Sequence, residues 1–346
     1  MSNKKRAIVI CPGRGTYNKE ELGYLTRYHA NKQAMIDVID ADRKARNQLT
    51  IAELDGAEKY NMRQHTAGEN ASSLIYACAR GDFLDINRDE YDIVAVTGNS
   101  MGWYIACAVA GAINHENGAK LINTMGSMMT NGLIGGQAIY PIVDDNWQHC
   151  PERFALVLNA IEIINQQAEC ELYASIQLGG YMVFGGNEAA LKALAQHLPE
   201  LENRYPMRLF NHAAFHTPLM NDIANKGQQQ LSKNLFGAPD IPLIDGEGTI
   251  WQPHSTEVSD LYDYTLGTQV RETYNFSKAI EVSIKEFAPD ALIITGPGAT
   301  LGGAVAQTLI AHNWYDLTDK ASFIERQKAD PVILAMGMEA QRKIVC

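Results

Sequence analysis

Cysteine is scarce and unpatterned: Cys11, Cys78, Cys107, Cys150, Cys170 and Cys346 form no C-x-x-C pair among the 346 residues. Neither a disulfide framework nor a metal site is expected, and a cytoplasmic protein with reduced structural thiols fits the pattern. Long apolar runs are missing too. The most extended, roughly 101–113, is broken by glycines and falls well short of the ~20 residues that a membrane helix needs. The opening Lys4-Lys5-Arg6 is followed by a few apolar residues that stop at Cys11-Pro12, which reads as a buried strand and not as a secretory signal. Positive charge is in deficit, with 29 Lys+Arg against 40 Asp+Glu and a net charge of −11. That field opposes nucleic acid and anionic membrane surfaces as partners. Repeats and low-complexity segments are also absent, and 46% hydrophobic with 20% charged residues is the profile of a globular protein with a sizeable core.

What is present is a recurring unit. Arg6-Ala-Ile-Val-Ile-Cys11 is a short β-branched run that empties into Pro12-Gly13-Arg14-Gly15-Thr16. Tyr91-Asp-Ile-Val-Ala-Val-Thr97 runs likewise into Gly98-Asn-Ser-Met-Gly102, and Ala291-Leu-Ile-Ile-Thr295 into Gly296-Pro-Gly298. Three strands ending in glycine loops predict a mostly parallel sheet covered by helices, the setting in which α/β proteins place sites at the carboxyl ends of strands. Between residues 135 and 210 the order changes to β-α-β-β-α-β, the order of a ferredoxin-like module. The expected fold is therefore α/β: a large hydrolase-like parallel-sheet domain from 1–134 and 211–346, with a small ferredoxin-like domain inserted at 135–210.

Gly98-Asn99-Ser100-Met101-Gly102 fits G-x-S-x-G, with a strand before it and an apolar helix after it. That context suits a nucleophile elbow, in which the serine sits on a tight turn and the next N–H, that of Met101, faces an oxyanion. A serine hydroxyl needs a base, commonly histidine. Of nine histidines, His216 lies at a loop-to-helix boundary before Pro218, where base and structural histidine are both open readings; His29, His65, His115, His149, His197, His254 and His312 read as surface residues. His212 and His216 have the i, i+4 spacing of some metal sites, but Pro218 interrupts the segment and no glutamate follows His212, so no metal is expected.

In order, these segments resemble a known family. Pro12-Gly-Arg-Gly-Thr16 resembles the Pro-Gly-Gln-Gly-Ser opening of the malonyl-CoA:acyl carrier protein transacylase family and of polyketide synthase acyltransferase domains. Gly98-Asn-Ser-Met-Gly-Trp-Tyr104 resembles its Gly-His-Ser-Leu-Gly-Glu-Tyr elbow, and Phe215-His-Thr-Pro-Leu-Met220 its Phe-His-Ser-Pro-x-Met segment. Val270-Arg-Glu-Thr-Tyr-Asn275 is similar to the stretch before its penultimate helix, and Gly296-Pro-Gly298 to its closing loop. The resemblance runs from about residue 6 to 310 and leaves the tail after about 315 unexplained.

The resemblance implies a ping-pong transfer of an acyl group from coenzyme A to the phosphopantetheine thiol of an acyl carrier protein. Ser100 would be the nucleophile and His216 the base, with backbone N–H groups of Arg14 and Met101 as the oxyanion hole. A backbone carbonyl expected near Asp245-Gly246 would orient the histidine. Acyl-CoA is then a substrate and no cofactor is implied; a monomer is expected. Three departures bear on the pocket: Asn99 replaces the elbow histidine, Trp103 the glutamate after the second glycine, and Met125, in Asn123-Thr-Met125-Gly126, the arginine that pairs with a malonyl carboxylate. A buried carboxylate without a cation is costly, so Met125 favours an uncharged acyl group. Arg14 is an added cation beside the oxyanion loop and offers charge from another direction. Gln177 matches an asparagine near the acyl pocket, a further substrate-binding candidate. A serine thioesterase or editing hydrolase on the same scaffold is the alternative, kept open by Asn99 and Trp103 beside the serine.

Overall fold

The computed structural model describes residues 4–129 and 132–346. Residues 1–3 and 130–131 of the expected large-domain range lie outside the described residues. Eleven strands are seen among the described residues: β1 (Lys5–Cys11), β2 (Tyr91–Gly98), β3 (Gly136–Pro141), β4 (Leu172–Leu178), β5 (Tyr181–Gly186), β6 (Met207–Leu209), β7 (Leu243–Ile244), β8 (Ile250–Trp251), β9 (Tyr274–Asn275), β10 (Ala291–Ile294) and β11 (Ile333–Ala335). The larger sheet has the order β11-β10-β1-β2-β7-β8. It is parallel throughout except for the β7–β8 pair at its edge.

Burial on both faces explains the continuous apolar runs. Ala7 to Cys11 of β1 are fully buried, as are all four residues of β10, because helices cover the sheet on either side. Helix Gly68–Asp85 buries 13 of its residues and helix Gly102–Val109 all eight, so neither shows a polar stripe.

The second sheet has the order β6-β3-β5-β4-β9. Its first four strands are antiparallel and, numbered within the module, run 4-1-3-2, with helices Pro151–Asn165 and Glu188–His197 as the two crossovers. This is the ferredoxin-like arrangement. Asn187 starts the second helix by accepting a hydrogen bond from the Ala190 N–H at 3.0 Å. A separate apolar core, including Tyr140, Val157, Leu172, Phe184 and Leu194, lies under these strands. The module is not self-contained. β9 adds to β4 from residues 274–275, parallel and in the register Gln177↔Asn275, and so couples the small sheet to the segment that follows the site.

The tail beyond 315 is part of the main sheet. β11 extends it next to β10, with Leu292 opposite Ile333. Helix Glu339–Val345 then turns Arg342 inward, where its guanidinium meets the buried carboxylate of Asp82 at 2.5 Å. Asp82 also accepts from the Tyr24 hydroxyl at 2.9 Å and the Gly296 N–H at 2.6 Å, and contacts His29 Nε2 at 3.0 Å. His29 and His65 were expected at the surface but are completely buried. Their polar stretches misled because the rings find polar partners inside, Asp82 at Nε2 and Asp85 at 3.2 Å from Nδ1 for His29, and the Leu54 carbonyl at 2.9 Å for His65. Among the described residues no helix is long and apolar enough to cross a membrane.

Candidate active site

The site forms where adjacent parallel strands end. Cys11 of β1 lies opposite Gly98 of β2, so the loops that follow them run side by side, and the Asn99 N–H bonds the Cys11 carbonyl at 3.0 Å. This brings Arg14 next to Ser100. The elbow is too tight for side chains at its glycines. A Cβ on Gly98 would come within 2.2 Å of the Gly102 carbonyl oxygen, and one on Gly102 within 2.2 Å of that of Cys11. Ser100 itself sits at φ 56°, a left-handed conformation that must be held by its surroundings.

The holding group is Gln269. Its side-chain amide donates to the Ser100 carbonyl at 2.9 Å, while its side-chain oxygen accepts from the Tyr104 hydroxyl at 3.0 Å. Its backbone carbonyl accepts from His216 Nδ1 at 2.5 Å. Gln269 opens the one-turn helix Gln269–Arg271, which follows a π-helical turn, Tyr264–Thr268. Carbonyls in the last turn of a helix lack intrahelical partners. Here His216 caps two of them, since its own N–H also donates to the Val270 carbonyl at 2.8 Å.

That cap fixes the chemistry of the imidazole. A carbonyl only accepts, so Nδ1 carries the proton and Nε2 presents a lone pair. Ser100 Oγ lies 2.7 Å from Nε2 and therefore donates to it. Burial pushes the His216 pKa down to about 4, against the opposing pull of the Gln269 carbonyl, so the ring is a neutral base at pH 7. Among the described residues no turn or loop hydrogen bond is donated by the backbone N–H of Arg14 or of Met101. Both are available to an oxyanion.

Two cavities meet at the serine. A small one of about 40 Å³ is lined by Ser100, His216, Met101, Met125, Arg14 and Gln269, among others. A long cleft of about 630 Å³ runs from Ser100 past Asn99, Gln137, Tyr181, Arg204 and His212. Thus Ser100, His216, Arg14, Met101, Met125 and Asn99 are brought together.

Four expected residues are not. Trp103 is fully buried, with its indole N–H on Thr265 Oγ1 at 3.0 Å: one step past the glycine, the helix points it into the core. Gln177 lies between Ile176 and Leu178, which line the cleft, so strand alternation turns it to the other face. Asp245 and Gly246 do not orient the histidine. Asp245 holds its own turn through the N–H groups of Glu247 and Thr249, each at 2.9 Å, and the Trp251 indole at 2.9 Å. The Gly246 carbonyl is taken by the Asn275 N–H at 3.0 Å. The orienting carbonyl is that of Gln269, which the sequence reading missed although it directly precedes the matched segment Val270–Asn275. Three cations near the matched segments are locally compensated: Lys278 and Lys285 share Glu281, and Arg208 pairs with Glu188.

No family model matches the chain. It is 22% identical over 330 residues to a malonyl CoA-acyl carrier protein transacylase of Haemophilus influenzae, covering 92% of this chain and 97% of that protein. Over nearly its whole length the chain is similar to the malonyl-CoA:acyl carrier protein transacylases. Its fold is also theirs. The transacylase of Xanthomonas oryzae superposes with a TM-score of 0.74 at 17% identity, over 99% of this chain and 98% of the other. A malonyl-transacylase solved in complex with its type II polyketide acyl carrier protein gives a TM-score of 0.71 at 15% identity, over 99% of each chain. In this fold the Ser100 turn, the capped histidine and the two cavities occupy one continuous site.

Proposed function

We propose that the chain transfers an acyl group from coenzyme A to the phosphopantetheine thiol of an acyl carrier protein through an acyl-Ser100 intermediate. The observation that carries this reading is the 2.7 Å contact between Ser100 Oγ and a neutral His216 Nε2, set where a small cavity meets a long cleft. In the first half reaction His216 takes the Ser100 proton as Oγ attacks the thioester carbon. The N–H groups of Arg14 and Met101 hold the developing oxyanion, and the coenzyme A sulfur leaves with the proton from His216. In the second half the carrier thiol gives its proton to His216 and attacks the acyl-serine; collapse returns the proton to Ser100 Oγ. One nucleophile and one base serve both halves, and no cofactor enters either.

The small cavity receives the acyl group and the cleft the pantetheine arm. Malonyl is the acyl group in the relatives' names, whereas Met125 taken alone favours an uncharged chain. A hydrolytic alternative drew on Asn99 and Trp103, and of the two only Asn99 reaches the cleft. Incubation with malonyl-CoA, acetyl-CoA and butyryl-CoA, followed by intact-protein mass measurement, tests the reading. An acyl adduct on the wild type that is lost in Ser100→Ala is expected. Absence of any adduct, or its persistence in Ser100→Ala, refutes it, and rapid loss of the acyl group to water without a carrier protein would favour the hydrolase.

A further inference from the structure

The small cavity holds a cation that the helix after the elbow does not supply. Arg14 lines both the cavity and the cleft. Its Nη2 donates to the carbonyl oxygens of Asn211 at 2.6 Å and Thr66 at 3.2 Å, while its Nε is buried without a hydrogen-bond partner. The two carbonyls aim the guanidinium, and an orphaned donor adjoining an apolar cavity is a group awaiting an acceptor.

The direction of the side chain places this charge near Gly126, the neighbour of Met125 in the cavity wall. Gly68 and Gly126 pack backbone to backbone. A Cβ built on Gly68 would lie 2.4 Å from the Gly126 carbonyl oxygen and 3.7 Å from Arg14 Nη1. The guanidinium therefore reaches the wall formed by residues 125–126 from the opposite loop. The other side chains lining the small cavity carry no charge once His216 is neutral. Glu69 is the acidic neighbour that favours the Arg14 cation, and burial lowers the Arg14 pKa only to about 10, so it stays protonated at neutral pH.

We propose that Arg14 is the specificity-determining residue of the acyl pocket, where its guanidinium binds the free carboxylate of a short dicarboxylic acyl group carried on Ser100. The carboxylate clamp has moved from the segment after the elbow helix to the oxyanion loop. One residue then serves both ends of a malonyl-sized unit: its N–H faces the thioester oxygen and its guanidinium the distal carboxylate. A planar guanidinium offers that carboxylate charge-assisted hydrogen bonds that an acetyl or butyryl group cannot use. The cavity, at about 40 Å³, suits a chain of a few heavy atoms. The assignment rests on the acyl-serine reading above.

The test measures loading rates of malonyl-CoA and acetyl-CoA on the wild type, Arg14→Gln, Arg14→Lys and the double variant Arg14→Gln/Met125→Arg, with thermal melting of each. The wild type is expected to load malonyl faster than acetyl. Arg14→Gln should lower the malonyl-to-acetyl ratio at least about tenfold, the size expected for one charge-assisted contact. Arg14→Lys should keep part of the preference, and the double variant should restore it by returning a cation to position 125. An unchanged ratio in Arg14→Gln, or a wild type that loads acetyl in preference, overturns the proposal while leaving the acyl-serine reading intact. Loss of both substrates in Arg14→Gln without rescue in the double variant overturns it as well, assigning Arg14 a structural role. No adduct from any thioester on the wild type removes the acyl-serine reading itself.

Discussion

Gln269→Met isolates what holds the nucleophile. Methionine nearly fills the volume of glutamine, so little cavity is created, but two hydrogen bonds disappear: the amide to the Ser100 carbonyl and the Tyr104 hydroxyl to the side-chain oxygen. The Ser100 carbonyl keeps its bond from the Trp103 N–H at 3.0 Å, so its loss costs about 1 kcal/mol. The buried Tyr104 hydroxyl is left without its partner, which adds about 1–3 kcal/mol. The expected destabilisation is therefore about 2–4 kcal/mol, read from the denaturant midpoint. Adding Tyr104→Phe removes the orphaned hydroxyl and should return about 1–3 kcal/mol of it. Acylation of Ser100, followed by intact mass, should slow about tenfold because the left-handed turn at Ser100 loses a tether. The acid limb of the pH profile should stay where it was, since the backbone carbonyl that orients His216 is untouched by the substitution. Wild-type stability and acylation rate in Gln269→Met would refute the assignment of the elbow's support to this residue. A shifted acid limb would show that the side chain also acts on the base.

His216 loses its basic form on protonation, so acylation should fall as pH drops through its pKa; with burial lowering that value to about 4, the rate should remain nearly flat from pH 7 to pH 5.5, where an ordinary histidine would already have cost most of it. Gly102→Ala should abolish acylation and destabilise the fold, because the added Cβ meets the Cys11 carbonyl oxygen at 2.2 Å; mass measurement and melting check both. Arg342→Met removes the partner of a buried carboxylate and should destabilise by about 3–5 kcal/mol by denaturant unfolding, with the tail helix becoming the fastest-exchanging part of the chain. A denaturation midpoint within error of the wild type would mean that Asp82 is held well enough by Tyr24, His29 and Gly296 alone.

Local pattern carried the reading furthest where one physical demand dominates. β1, β2 and β10 announced themselves because burial on both faces leaves mostly apolar residues, and the elbow did so because no side chain fits at Gly98 or Gly102. The β-α-β-β-α-β order of the small module was visible as well, but its fifth strand was not. Two residues, Tyr274 and Asn275, join β4 only because the chain returns there from far along the sequence. Misplacements followed the same line. Trp103 stands where the resembled family has its glutamate, which points to a pocket wall, whereas helix geometry rotates it into the core. Gln177 fell to the pleat, which turns alternate residues away from the cleft.

The amino-acid sequence by itself determined the architecture and marked the Ser100 turn and the His216 segment. Strand periodicity, glycine turns and the Ser100 and His216 segments are short-range signals, each written within a few consecutive residues. Only the tertiary structure decided which carbonyl orients His216, which side chain supports the Ser100 turn and which cation lines the small cavity. Gln269 lies 53 residues from His216 and 169 from Ser100 in the chain, and Arg14 lies 197 from Asn211. A hydrogen bond depends on distance and direction in space, and nothing in the spacing of such residues along the chain records that the fold has closed the gap between them.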